Sequence, residues 1–331
     1  MGRKILGKVQ HVLNCLRRGR SDGQAPVQDG FNFRATDTLR LTSDDTTDTT
    51  AMIRDLAWTP GVFDVAARTT DSHADATLRF PSPRPIGHRV SDRVSLDWHA
   101  ARDSNGHLID APAILVLDIL QGGNIVSNFI ARHFARKGIH GFTMHMPFTG
   151  ERRDPSEKYD WNYFLPSLRQ SIADARRARD VIAGLPGVTG KISVQGTSLG
   201  GFVATVTAAL DNAFSRNIIT LAGGDVFRIL NEGRADAALV RERLRSVGFT
   251  DRKLRDELWR SEPLRVAHRL DRDHTWLLTA RQDQVVFPRY SLKLADRAHL
   301  HLPQHRKFAG CHYTCLISAP WILGTMVRAA A

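Results

Sequence analysis

Residues 194–201 read Val194-Gln195-Gly196-Thr197-Ser198-Leu199-Gly200-Gly201, a G-x-S-x-G box. It follows a short apolar run from Lys191 to Gln195 with strand character and opens an apolar helical run from Phe202 to Leu210. The box therefore predicts a strand, a tight elbow and a helix in that order. A serine hydroxyl is a poor nucleophile, and this turn lifts its oxygen clear of a sheet toward a base. Gly196 and Gly200 lack a Cβ, so the chain can turn sharply there under strain that larger residues resist.

An activated serine needs a base and a carboxylate to orient that base. In an elbow of this kind they follow in the order serine, acid, histidine. Thr275 to Ala280 (TWLLTA) reads as a buried strand, and the loop after it carries Asp283, the leading acid. Arg306 to Gly310 reads as a last strand, and His312 stands on the loop beyond it as the leading base. His11, His73, His88, His99 and His107 lie too early in the chain, while His299, His301 and His305 precede the last strand. Asp225 is the alternative acid, because Ala222-Gly223-Gly224-Asp225 also ends a strand, Ile218 to Ala222.

On these residues the chain resembles the α/β-hydrolase superfamily over about residues 92 to 325. Its motifs look most similar to the esterase, dienelactone-hydrolase and prolyl-oligopeptidase-like branches. The resemblance implies a mainly parallel central sheet flanked by helices, with catalysis at the carboxyl ends of the strands. It also implies an oxyanion hole of backbone N–H groups. One donor is the N–H of Leu199; the other is expected on the loop after Ala113 to Leu120, with Gly122 and Gly123 as neighbours. That loop departs from the family pattern, since Gln121 stands where a His-Gly start is usual. After the strand Gly141 to Met146, Arg152 and Arg153 border the expected mouth. They would either hold an anionic part of a substrate or pair with Glu151, Asp154 or a loop aspartate.

Composition agrees with an enzyme of this kind: 331 residues, 42% apolar and 24% charged, suit one large core plus an appendage. Three cysteines cannot build a disulfide framework, and Cys311 and Cys315 around His312 lack a second pair with zinc spacing. We therefore expect no metal, no cofactor and a cytoplasmic setting. Arg3, Lys4, Lys8, Arg17, Arg18 and Arg20 carry half of the chain's net charge of +12. With Ile5, Val9, Val12, Leu13 and Leu16 at helical spacing, residues 1–20 read as a basic amphipathic segment suited to peripheral contact with an anionic membrane, to transit, or to a solvated tail.

Residues 21–55, rich in Asp, Thr, Ser and Gly, read as a polar linker, and 56–331 as the hydrolase domain. Within it, 56–110 should supply antiparallel strands ahead of the catalytic sheet. Residues 225–273 break the strand–helix alternation with two helical runs, Asp236 to Val247 ending at Gly248 and a second capped by Thr250. They form either a cap over the pocket, shaping acyl specificity, or a helical pair on the sheet's flank.

Three classes of function follow. The first is hydrolysis of a small-molecule carboxylic ester by Ser198, His312 and Asp283. The second directs the same residues to a peptide bond or an acceptor alcohol, making a peptidase or acyltransferase. The third is a non-catalytic scaffold binding an anionic partner; no nucleic acid is expected, because no nucleic-acid module accompanies the basic terminus.

Overall fold

A computed structural model describes residues 31–69, 74–314 and 319–330. The basic segment 1–20, His73, Cys15 and Cys315 lie outside the described residues. Ten strands form one sheet in the order β1-β2-β3-β4-β6-β5-β7-β8-β9-β10. Strands β1 (Asn32–Thr36), β2 (Val62–Thr69), β3 (Ala76–Pro81) and β4 (Arg93–His99) pair antiparallel, and β4 pairs antiparallel with β6 (His140–Met144). From β6 onward, β5 (Ala111–Leu117), β7 (Val188–Thr197), β8 (Asn217–Thr220), β9 (Thr275–Ala280) and β10 (His305–Phe308) run parallel.

The parallel strands are covered on both sides, which explains why they read as continuous apolar runs rather than as alternating ones. In β5, Ala113, Leu115 and Leu117 join one buried cluster while Ile114 and Val116 join the other. Helices α3 (Phe164–Ala183), α4 (Leu199–Asp211) and α8 (Pro288–Arg297) pack on the first side. Helices α2 (Ile125–Ala135) and α9 (Ala319–Ala330) pack on the second. After β5 the chain crosses to β6 on one side, and after β7 it crosses to β8 on the other. The carboxyl ends of β5 and β7 therefore flank a topological switch point, where an open α/β sheet leaves a crevice.

The expectation of a linker over 21–55 is corrected by the structure for its described part. Asn32–Thr36 is the edge strand, and α1 (Thr47–Leu56) is a helix capped by Thr46, whose side chain accepts from Thr49 N–H. The aspartates that made this stretch look solvated are paired with arginines far along the chain. Asp37 meets Arg177 at 2.6 Å, Asp44 meets Arg269 at 3.0 Å and Asp48 meets Arg265 at 2.6 Å. The described strands among residues 56–110 are antiparallel, as the sequence suggested.

In the region 225–273 the chain forms α5 (Val226–Glu232), α6 (Asp236–Ser246) and α7 (Asp251–Trp259). Thr250 caps α7 by accepting from Lys253 N–H, and Gly248 holds φ at +89°. Among the described residues no helix is long and apolar enough to cross a membrane.

Two stability predictions follow from these buried charges. Asp37→Ala leaves the Arg177 guanidinium buried without its carboxylate, and should cost about 3–5 kcal/mol in urea unfolding. His99 on β4 donates its Nε2–H to Asn128 Oδ1 at 3.0 Å, and burial pushes its pKa down to about 4. The unfolded state then takes up a proton near pH 6.5 while the folded state resists until about pH 4. Stability should therefore fall as pH drops through that window, by about 2 kcal/mol between pH 6.5 and 5. A His99→Gln variant should lose much less over the same interval; equal slopes would contradict the assignment.

Candidate active site

The β7–α4 turn places Ser198 at the carboxyl end of the sheet with φ +53° and ψ −116°, a conformation that L-residues rarely adopt. The strain that the sequence suggested at the glycines is thus carried by the serine itself. The glycines serve close approach instead. A Cβ on Gly196 would lie 2.0 Å from Gly200 O, and one on Gly200 would lie 2.3 Å from Leu117 O and 2.7 Å from Asp118 O. Strand β7, helix α4 and the end of β5 are in backbone-to-backbone contact there. Ser198 N–H donates to Thr220 O at 2.9 Å, which ties the elbow to β8.

His312 Nε2 stands 2.9 Å from Ser198 Oγ, and His312 Nδ1 stands 2.8 Å from Asp283 Oδ2. A carboxylate only accepts, so Nδ1 carries the proton and Nε2 is the acceptor for the serine hydroxyl. Asp283 is itself held: its Oδ1 accepts from Val285 N–H at 2.8 Å and Val286 N–H at 3.0 Å. The loops bearing acid and base are joined as well. Gln282 N–H donates to Gly310 O at 3.0 Å, and Gly310 N–H donates to Gln282 Oε1 at 2.7 Å. The structure brings together the three side chains that the sequence singled out, with the carboxylate and the imidazole both buried.

Asp225 is committed to other partners than His312. It lies at the start of α5 with φ +67° and pairs with Lys293 Nζ at 2.6 Å and Arg228 at 3.6 Å. Arg152 also departs from the reading as a substrate contact. Its side chain is fully buried, pairing with Asp174 at 2.7 Å and donating to Ser91 O and to His145 O. The guanidinium is committed to fastening the loop after β6 onto α3, and only Arg153 is exposed. Gly122, expected beside the second oxyanion donor, lies in the turn after β5. Its N–H donates to Ile119 O at 3.3 Å, and a Cβ there would meet the Asp118 carboxylate at 2.6 Å and 2.9 Å. Gly123 holds φ at +57° in the same turn.

Leu120 and Leu199, one from each side of the switch point, border a cavity with Ser198 at its rim. The cavity measures about 70 Å³. Phe164, Ile172, Phe202 and Val286 supply walls from the sheet side, and Ile229, Val240 and Leu258 supply them from α5, α6 and α7. Helices α5, α6 and α7 therefore supply part of the pocket's lining. Sequence reasoning missed Asp118 and Leu120. The signal for Asp118 was available: a lone carboxylate inside the apolar run Ala113 to Leu120 has to find donors if it is buried. Among the described residues no cluster of His, Cys, Asp and Glu has the form of a metal site.

No family model and no curated protein matches the chain by sequence. Solved structures do match it by shape. An acetyl xylan esterase from Paenibacillus sp. R4 superposes with a TM-score of 0.61 at 14% identity, over 88% of this chain and 96% of that one. Acetyl xylan esterase 1 from Thermoanaerobacterium sp. JW/SL YS485 gives 0.59 at 12% identity, over 90% and 97%. A 2,6-dihydroxy-pseudo-oxynicotine hydrolase gives 0.51 at 16% identity, over 72% of this chain and 66% of that one. At such identities the likeness speaks for architecture. Together with the parallel sheet, the switch point and the serine elbow between β7 and α4, it establishes that this chain has the α/β-hydrolase fold.

Proposed function

We propose that the protein is a serine hydrolase that cleaves a small carboxylic ester through an acyl-enzyme. The observation that carries this reading is the unbroken line of hydrogen bonds from Asp283 through His312 to Ser198. Ser198 Oγ attacks the carbonyl carbon while His312 Nε2 takes its proton. Asp283 keeps the imidazole in the required tautomer and steadies the imidazolium. As the first residue of α4, Leu199 has an N–H with no acceptor inside the helix, so it can face the oxygen on which charge develops. Leu120 N–H, across the switch point, is the second donor in this reading, in place of the Gly122 region. Collapse of the tetrahedral intermediate passes the proton from His312 to the leaving alcohol. Water then attacks the acyl-enzyme by the same route, and Ser198 is released with the acid.

The cavity supplies the acyl site. A cavity of about 70 Å³ has room for a short acyl chain. Its walls are almost wholly aliphatic and aromatic, which suits an uncharged chain. A solvated carboxylate or sugar would lose its water there with only Asp236, Ser261 and Ser198 to offer hydrogen bonds in return.

Labelling with a fluorophosphonate probe tests the nucleophile: wild type should be labelled and Ser198→Ala should not. Labelling that survives the substitution, or is missing from folded wild type, removes the hydrolase reading. Asp283→Asn should lower kcat about 10,000-fold with the fold intact, whereas Asp225→Asn should change it less than about threefold. A reversal of these two effects would move the acid back to Asp225. Across p-nitrophenyl esters from acetyl to decanoyl, kcat/KM should peak between butyryl and hexanoyl. Leu258→Ala should move that peak to longer chains, and a flat profile would deny the cavity an acyl role.

A further inference from the structure

Asp118 terminates the apolar run of β5 with a carboxylate that is 2% exposed. Among the described residues no Lys, Arg or His side chain stands within ion-pair distance of it. Its charge is met by backbone donors instead. Asn124 N–H donates to Oδ2 at 2.6 Å and Ser127 N–H to Oδ1 at 3.4 Å, both at the start of α2. The loop between runs tightly around this group. Gln121, Gly123 and Asn124 take positive φ values of 55°, 57° and 63°, and Gly122 leaves no space for a Cβ against the two carboxylate oxygens. Such a loop keeps one shape only while something holds both of its ends. The Asp118 main chain lies directly against Gly200, and Leu120, two residues on, shares the cavity rim with Ser198 and Leu199.

We propose that Asp118 is the positioning residue of the oxyanion hole: its carboxylate fastens residues 119–124 so that Leu120 N–H faces the developing charge. The inference rests on the hydrolase reading and deepens it. It also accounts for the departure at Gln121, because the order that the usual His-Gly start would impose is supplied here by a buried acid two residues before Leu120. Asp118 touches neither substrate nor reacting atoms; it acts through the loop. Burial pushes its pKa up, and the peptide N–H groups pull it back toward the ionised form.

The test uses a loss that a merely structural role would not produce. A trifluoromethyl ketone forms a hemiketal when Ser198 Oγ adds to its carbonyl carbon and the proton passes to His312. Its oxygen then becomes the anion in the hole. With kcat and KM measured on one ester, Asp118→Leu should lower kcat about 100-fold at a KM within about threefold, and should weaken the ketone in proportion. Asp118→Asn keeps one acceptor oxygen for Asn124 N–H and the side-chain volume, so it should fold even if the leucine variant does not. Its kcat and its ketone affinity should fall together by about tenfold. Unchanged ketone binding in Asp118→Asn, or a KM that rises as far as kcat falls, would overturn the assignment. Fluorophosphonate labelling of wild type separates the two levels. If Ser198 is labelled and ketone affinity ignores Asp118, this inference alone fails; if Ser198 is unlabelled, the hydrolase reading fails with it.

Discussion

Everything at the site depends on how closely three backbones approach one another. With no side chains at Gly196 and Gly200, β7, the first turn of α4 and the end of β5 touch main chain to main chain. That contact compels the turn at Ser198 into a left-handed conformation, which aims its oxygen away from the sheet and toward the loop of His312. The same contact brings the Asp118–Leu120 segment beside Leu199. A single alanine at Gly200 would push these three elements apart and disturb Ser198 and the Asp118–Leu120 segment together.

How much of this was legible in the sequence follows from the range of each interaction. Ser198, Asp283 and His312 could be read because each sits in a short pattern, an apolar strand running into a loop, and the fold fixes their order along the chain. The helices between Asp236 and Trp259 were readable for a similar reason: Thr250 and Gly248 mark their ends locally. The N-terminal region was misread because its aspartates find partners far away, Asp37 with Arg177 and Asp44 with Arg269. No local composition distinguishes a solvated aspartate from one awaiting an arginine more than a hundred residues on. The same limit explains Arg152, whose partner Asp174 lies on the next helix and whose burial no neighbouring residue announces.

Those long-range pairs also have an architectural role. Helix α3 lies along the face of the sheet, and its Arg176, Arg177 and Asp174 reach Asp211, Asp37 and Arg152 respectively. One helix thus joins the antiparallel edge, the loop after β6 and the end of the nucleophile helix. Thr38 adds to this, donating its N–H and its hydroxyl to Asp180 on the same helix. Pairs buried to this degree contribute little net stability as units, but the loss of either member is costly. They therefore favour one docking of the N-terminal strands over others.

The backbone at Ser198 sets the side chain there against the stability of the fold. A positive φ with ψ near −116° suits glycine and penalises any side chain by about 1–3 kcal/mol. Replacing Ser198 with glycine should therefore raise the melting temperature, and a lower melting temperature would show that the elbow holds no strain.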